Sequence, residues 1–138
     1  MITTERESAI LADGCTIMQA SGMTGLSSHT IRYYEKEELI PPVKRDYNGN
    51  RVFAEGDIGW LRLVNCLRKT GMPIAEIRAI AQLSIQGDRT ITERKHILEN
   101  HRANLELRLE ELRDAFERIN SKIEWYSRME KESKIGQR

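Results

Sequence analysis

The chain has 138 residues, with 22 basic and 21 acidic side chains and a formal net charge of +1, so bulk electrostatics do not mark it as a nucleic-acid binder. Charged residues at 31% and aromatics at 6% suit one helix-rich domain with an extension. Two cysteines, Cys15 and Cys66, are too few for a disulfide framework or a cysteine-rich zinc module. No apolar run approaches a membrane span and no signal-peptide pattern opens the chain, so a cytoplasmic location with no membrane partner is expected.

Residues 1–15 show no clear period and are expected to form an N-terminal extension. Residues 17–23 form a short amphipathic segment, closed by the turn signal Thr24-Gly25. Ser27 is a good N-cap for a second helix from Ser28 to about Glu37, with Ile31 as its apolar anchor. The rest of that helix carries hydroxyls, an imidazole, a guanidinium and two phenols, which suits contact with something polar. Two short helices joined by a glycine-containing turn read as a helix-turn-helix, whose second helix enters the DNA major groove. Pro41 and Pro42 stop it, because proline disfavours helical geometry in the preceding residue.

Residues 43–53 contain Asn48-Gly49 between two short β-capable runs, which predicts a small hairpin, a wing. A wing beside a helix-turn-helix places Lys44, Arg45 and Arg51 where a flanking phosphate backbone passes. Residues 55–70 show helical spacing in Ile58, Leu61, Val64 and Leu67, with Trp60 and Leu63 widening the face. Glu55 and Asp57 in the first turn and Arg68 and Lys69 in the last match the helix dipole, and Gly71 ends the helix. Pro73 opens a shorter helix to about Leu83, with Ile74, Ile77, Ile80 and Ala81 on one face. Between residues 43 and 69 six basic residues face three acids, whereas from residue 91 onward eleven face ten. The basic excess thus lies beside the proposed DNA reader, as phosphate contact requires.

Residues 85–90, with Gly87-Asp88, read as a linker. Beyond it Leu98, Leu105, Leu109, Leu112, Phe116, Ile119, Ile123 and Tyr126 recur in steps of seven, four and three, a heptad seam. Lys95 and Arg102 interrupt the stripe near its start. Some 35 helical residues span roughly 50 Å, more than one small domain covers, so a second copy of the chain is the expected partner. The boundaries expected are an extension at 1–15, a winged helix-turn-helix domain at 16–84, a linker at 85–90, a dimerisation helix at 91–128 and a tail at 129–138.

The stretch T-G-L-S-S-H-T-I-R-Y-Y-E-K-E-E-L-I-P-P, then N-G-N-R-V-F, then D-I-G-W-L-R-L, resembles the DNA-binding domain of the MerR family of transcription regulators across residues 16–83. His29 departs from a common arginine, and Asn50 from a common wing tyrosine. The resemblance implies a mainly α fold: a winged helix-turn-helix domain and a long helix forming an antiparallel coiled coil in a homodimer. It implies no enzyme activity, no cofactor and no metal, with double-stranded promoter DNA and RNA polymerase as partners. It further implies distortion of promoter DNA to make poorly spaced elements readable. Ser28, His29 and Tyr33 are candidates for base edges or nearby phosphates. Arg32, Tyr34, Lys44, Arg45 and Arg51 are candidates for the backbone, with Arg68 and Lys69 as a second basic group. Leu98, Leu105, Leu109, Leu112, Phe116, Ile119 and Ile123 are the dimerisation residues.

Within the family the chain looks similar to short regulators that respond to reactive aldehydes or thiol stress. These carry a lone cysteine in the helix after the wing, here Cys66 in V-N-C-L-R-K-T-G-M, and the G-D-R-T segment at 87–90 also looks similar. Arg62 and Lys69 flank Cys66 at helical spacing, and adjacent positive charge favours the nucleophilic thiolate. The bland alternative is a small buried apolar cysteine. The rival function is a coiled-coil adaptor whose small domain binds protein rather than DNA.

Overall fold

The computed structural model describes residues 13–136; most of the expected N-terminal extension and the last two residues of the expected tail lie outside that range. In chain order the elements are α1 (Ile17–Thr24), α2 (Ser28–Lys36), β1 (Lys44–Arg45), β2 (Arg51–Val52), α3 (Glu55–Lys69), α4 (Ile74–Ile85), a 3-10 turn (Asp88–Thr90) and α5 (Ile91–Gly136). Two units are distinguished, residues 1–98 and 99–138. No helix among the described residues is long and apolar enough to cross a membrane.

Local chemistry explains each boundary in the first unit. Thr16 and Gln19 form a reciprocal capping box that starts α1. Gly25, left-handed at φ 75°, ends it by donating its N–H to the Ser21 carbonyl. Ser27 accepts the Thr30 N–H and starts α2 two residues later. Glu38 takes the left-handed conformation at φ 58°, and the Leu39 N–H reaches back to the Tyr34 carbonyl at 2.9 Å. α3 begins on Asp57, whose carboxylate accepts the Ala54 N–H at 2.8 Å, and ends as the Met72 N–H reaches Leu67.

β1 and β2 pair antiparallel, Lys44 with Val52 and Arg45 with Arg51. Cys15 extends this ribbon by exchanging both backbone bonds with Phe53. The preceding residue must be glycine: Gly14 sits at φ +81°, and a Cβ there would lie 2.6 Å from Val52 Cγ1. Cys15 is buried with the core and so belongs to the folded domain, not to an extension as expected from its position in the chain.

The core gathers Ile31, Tyr34, Leu39, Ile40, Phe53, Ile58, Leu61, Val64, Leu67, Ile77 and Ile80. The four residues predicted to form the α3 face are all buried. Ile97 and Leu98, in the first turns of α5, pack against the same cluster. Segment 85–90 is a tight turn where a linker was expected. Buried Thr90 places Oγ1 2.6 Å from the Leu83 carbonyl and 2.8 Å from that of Gly87. Arg94 donates to the Thr90 hydroxyl and the Gly87 carbonyl from the next turn.

In the second unit α5 continues unbroken through Gly136, past the end expected near residue 128, since no glycine or proline intervenes. Its 46 residues correspond to about 69 Å at the usual helical rise. Leu109, Leu112, Phe116, Ile119, Ile123 and Tyr126 are exposed along one stripe, and Leu107, Trp125 and Met129 are exposed elsewhere on the helix.

Candidate nucleic-acid interface

The site begins with α2, which is held at both ends. At its start Ser28 Oγ lies 3.7 Å from Met18 Sδ on α1. Arg62 of α3 donates to the Met23 carbonyl at 3.0 Å, fastening the end of α1 to the core. At its finish Arg78 of α4 donates through Nε to the Glu37 carbonyl at 2.9 Å and meets the Glu37 carboxylate at 3.4 Å. A cation at a helix C-terminus also complements the dipole. Gln82 adds a contact to the Glu38 carboxylate at 3.3 Å.

Ile31 and Tyr34 face inward, leaving His29 and Arg32 exposed and Ser28 and Tyr33 half-buried. Tyr34, expected to touch the DNA backbone, is corrected by this geometry: it is 1% exposed, three residues after Ile31 on the same inward face. Its neighbour Tyr33 lies at the boundary. The Arg68 guanidinium stands 5.5 Å from the Tyr33 ring centre and 5.6 Å from that of Tyr34, a cation–π contact joining α3 to α2. Arg68 thus steadies the tyrosine pair. Lys69 and Lys44 are exposed.

The wing is tied to α2 through Glu35. Glu35 Oε1 accepts from Arg51 Nε at 2.8 Å and from Arg45 Nη2 at 3.3 Å. Arg45 Nη1 also donates to the Gly49 carbonyl at 2.9 Å. The Asp46 carboxylate accepts the N–H groups of Asn48 and Asn50, closing the loop over Gly49. Arg32, Arg45 and Arg51, with Gln19 and Asn50, border one cleft of ≈ 470 Å³ between α1, α2 and the wing. Asp13 and Asp46 also line it, and Glu35 pairs with Arg45 and Arg51, so Arg32 and the more exposed Arg45 are the groups most open to phosphate oxygens.

Three residues escaped the sequence argument. Glu35 carried a signal, being an acid four residues after Ile31 on the inward edge of a helix otherwise rich in hydroxyl and basic groups. Met18, exposed beside Ser28, carried none. Tyr47 stands at the wing tip, 97% exposed, and its place beside Asn48-Gly49 was the available cue.

The two thiols differ. Cys66 is exposed on α3, not the small buried residue of the bland alternative. Cys15 is buried, and burial pushes its thiol up, with the Asp57 charge adding to the effect. Burial likewise raises the Asp57 carboxyl; the Ala54 N–H opposes this and Glu35 reinforces it.

Of the expected dimerisation residues, Leu98 packs on the core of the first unit and Leu105 is half-buried, whereas Leu109, Leu112, Phe116, Ile119 and Ile123 are exposed.

Comparison with known proteins places these features. Residues 15–84 match the MerR HTH family regulatory protein model, and residues 58–122 match the MerR DNA-binding model. An uncharacterized HTH-type transcriptional regulator of Haemophilus influenzae is 38% identical over 113 residues, covering 82% of this chain and 84% of that protein. The HTH-type transcriptional regulator AdhR of Bacillus subtilis is 42% identical over 89 residues, 64% of each chain. The crystal structure of HiNmlR, a MerR family regulator lacking the sensor domain and bound to promoter DNA, superposes with a TM-score of 0.74 at 38% identity. That match covers 82% of this chain and 90% of the other.

Proposed function

The chain belongs to the MerR family of helix-turn-helix regulatory proteins, as a DNA-binding transcription regulator and not an enzyme, and from that premise we propose how it engages its promoter. It acts as a homodimer that sets two copies of α2 against two half-sites of a roughly palindromic operator. Ser28, His29 and Tyr33 meet base edges or adjacent phosphates; Arg32, Arg45, Arg51, Lys44 and Lys69 meet the backbone, and Arg68 holds Tyr33 in place. The observation that carries this reading is the shared cleft, whose lining includes the exposed α2 arginine and both wing arginines. Family membership sets aside the adaptor alternative.

Support for the dimer comes from the exposed stripe Leu109 to Ile123, whose heptad spacing suits a second, antiparallel copy. The dimer reshapes promoter DNA for RNA polymerase at a deformation cost on the order of 1–6 kcal/mol, offset by contacts that the bend permits. The cytoplasm is its place of action.

The decisive experiment pairs a random-sequence selection with a salt titration. The expected result is one preferred palindromic duplex, bound with log-linear salt dependence, and Arg32→Gln weakening all duplexes while lowering the slope by about one. A salt-independent affinity, or selection of no preferred duplex, overturns this binding mode.

For induction we propose Cys66 as the sensor thiol, because it is the exposed one of the two cysteines and lies on α3 one turn from Arg62, which fastens the end of α1. In transcription in vitro, a small aldehyde or mild oxidant should change promoter output with the wild type. Cys66→Ser should bind the promoter equally and give no response. An equal response from both proteins overturns the thiol assignment.

A further inference from the structure

The recognition helix and the wing meet at a single carboxylate with unequal duties. Glu35 Oε1 takes both guanidiniums, Arg51 at 2.8 Å and Arg45 at 3.3 Å, while Oε2 is buried with no hydrogen-bond partner. The Arg51 side chain is 22% exposed and that of Arg45 48%. The first pair is shorter and better covered; the second is longer and open to competition from outside.

We infer that Glu35 is a specificity-positioning residue for DNA. Through Arg51 it fixes the register of the wing relative to α2, and it retains Arg45 until a backbone phosphate at the matching position takes that guanidinium over. The inference rests on the proposed roles of α2 as base reader and Arg45 as phosphate ligand. Phosphates stand at set positions relative to the base edges of their own duplex, so a wing held in register rewards α2 only when α2 is correctly seated. A carboxylate beside the phosphate path also repels any backbone that passes without satisfying Arg45, an element directed against wrong sites. When Arg45 moves to a phosphate, Arg51 still balances the carboxylate, so the exchange leaves no unpaired buried charge. Glu35 therefore lowers affinity for DNA in general and raises the preference for one sequence.

The test uses the full chain, a duplex recovered by random-sequence selection with wild type, and a scrambled duplex of equal length, across a salt series. Glu35→Gln keeps the shape and removes the charge. It is expected to bind the scrambled duplex about three- to tenfold more tightly at low salt, and to narrow the ratio between the two duplexes by about tenfold. In an Arg45→Gln background the same change should give no further gain on scrambled DNA. Glu35→Asp keeps the charge and shortens the reach: scrambled affinity should stay at the wild-type value while the ratio falls. That variant carries the test if Glu35→Gln does not fold. A purely structural role would lower the melting temperature and weaken both duplexes by one factor with the ratio unchanged, which overturns the inference. A wild type that selects no duplex overturns the binding mode of α2, and this inference with it; a selective wild type with an unchanged ratio in Glu35→Gln overturns this inference alone.

Discussion

Residues 13–98 and the stretch of α5 beyond them use the same currency of leucine, isoleucine and phenylalanine at helical spacing, with opposite outcomes. In the first, Ile58, Leu61, Val64 and Leu67 are buried against Ile31, Tyr34 and Phe53. In the second, Leu109, Leu112, Phe116, Ile119 and Ile123 stay exposed. Periodicity names the face of a helix to be covered and is silent on what covers it. The elements around α3 bury its face from within one chain, whereas nothing among the described residues buries the stripe of α5 beyond residue 105.

The sharpest way to break this contrast is inside the first unit. Phe53→Ala empties a fully buried site and should cost about 3–5 kcal/mol in urea unfolding at fixed protein concentration. A loss well under 1 kcal/mol would mean that this core is not closed. Gly14→Ala forces a methyl group towards Val52 in a left-handed backbone, and a loss of roughly 1–3 kcal/mol is expected. Ile119→Glu should act on the other half of the comparison. Self-association in sedimentation should weaken at least about tenfold, roughly 1.4 kcal/mol, while the unfolding of the first unit at high dilution stays as in wild type. If association were unaffected, the seam would be covered by something other than a second copy.

The smallest effect concerns pH. The Asp57 carboxyl is raised by burial and by Glu35 against the opposing Ala54 N–H. A carboxyl whose folded pKa lies above its unfolded value adds stability below the unfolded pKa, and that contribution disappears as pH rises through the folded one. Asp57→Asn keeps an oxygen to cap Ala54 and removes the titration. Its stability should therefore fall less than that of wild type as pH rises from the unfolded carboxylate range to neutrality. Parallel stability curves for the two proteins would refute this account of the carboxyl.

Much of the fold was legible without coordinates. Ser27 as a cap, Gly71 as a stop, Asn48-Gly49 as a wing turn and the α3 face each follow from contacts within a few residues, where chain order dictates geometry. The candidate site was legible in outline, since α2 and the basic wing both stood out. Its wiring was not. Tyr34 read as a polar contact because a phenol suits either side of a helix, and the inward direction of its face depends on Ile31, Leu39 and α4 together. Glu35, Arg45 and Arg51 meet across ten and sixteen residues of chain. Cys15 read as an outlying residue until the ribbon brought Phe53 beside it.

Local signals thus settled which segments are helices, where the short ones stop, and that one long helix carries an apolar stripe, because each depends on backbone propensity and short-range periodicity. Pairing of the wing with α2 through Glu35, burial of Tyr34 and Cys15, exposure of Cys66 and capping of the 85–90 turn by Thr90 were decided by folding. Each joins groups distant in the chain, and only the packed core sets the distance and the dielectric at which they meet.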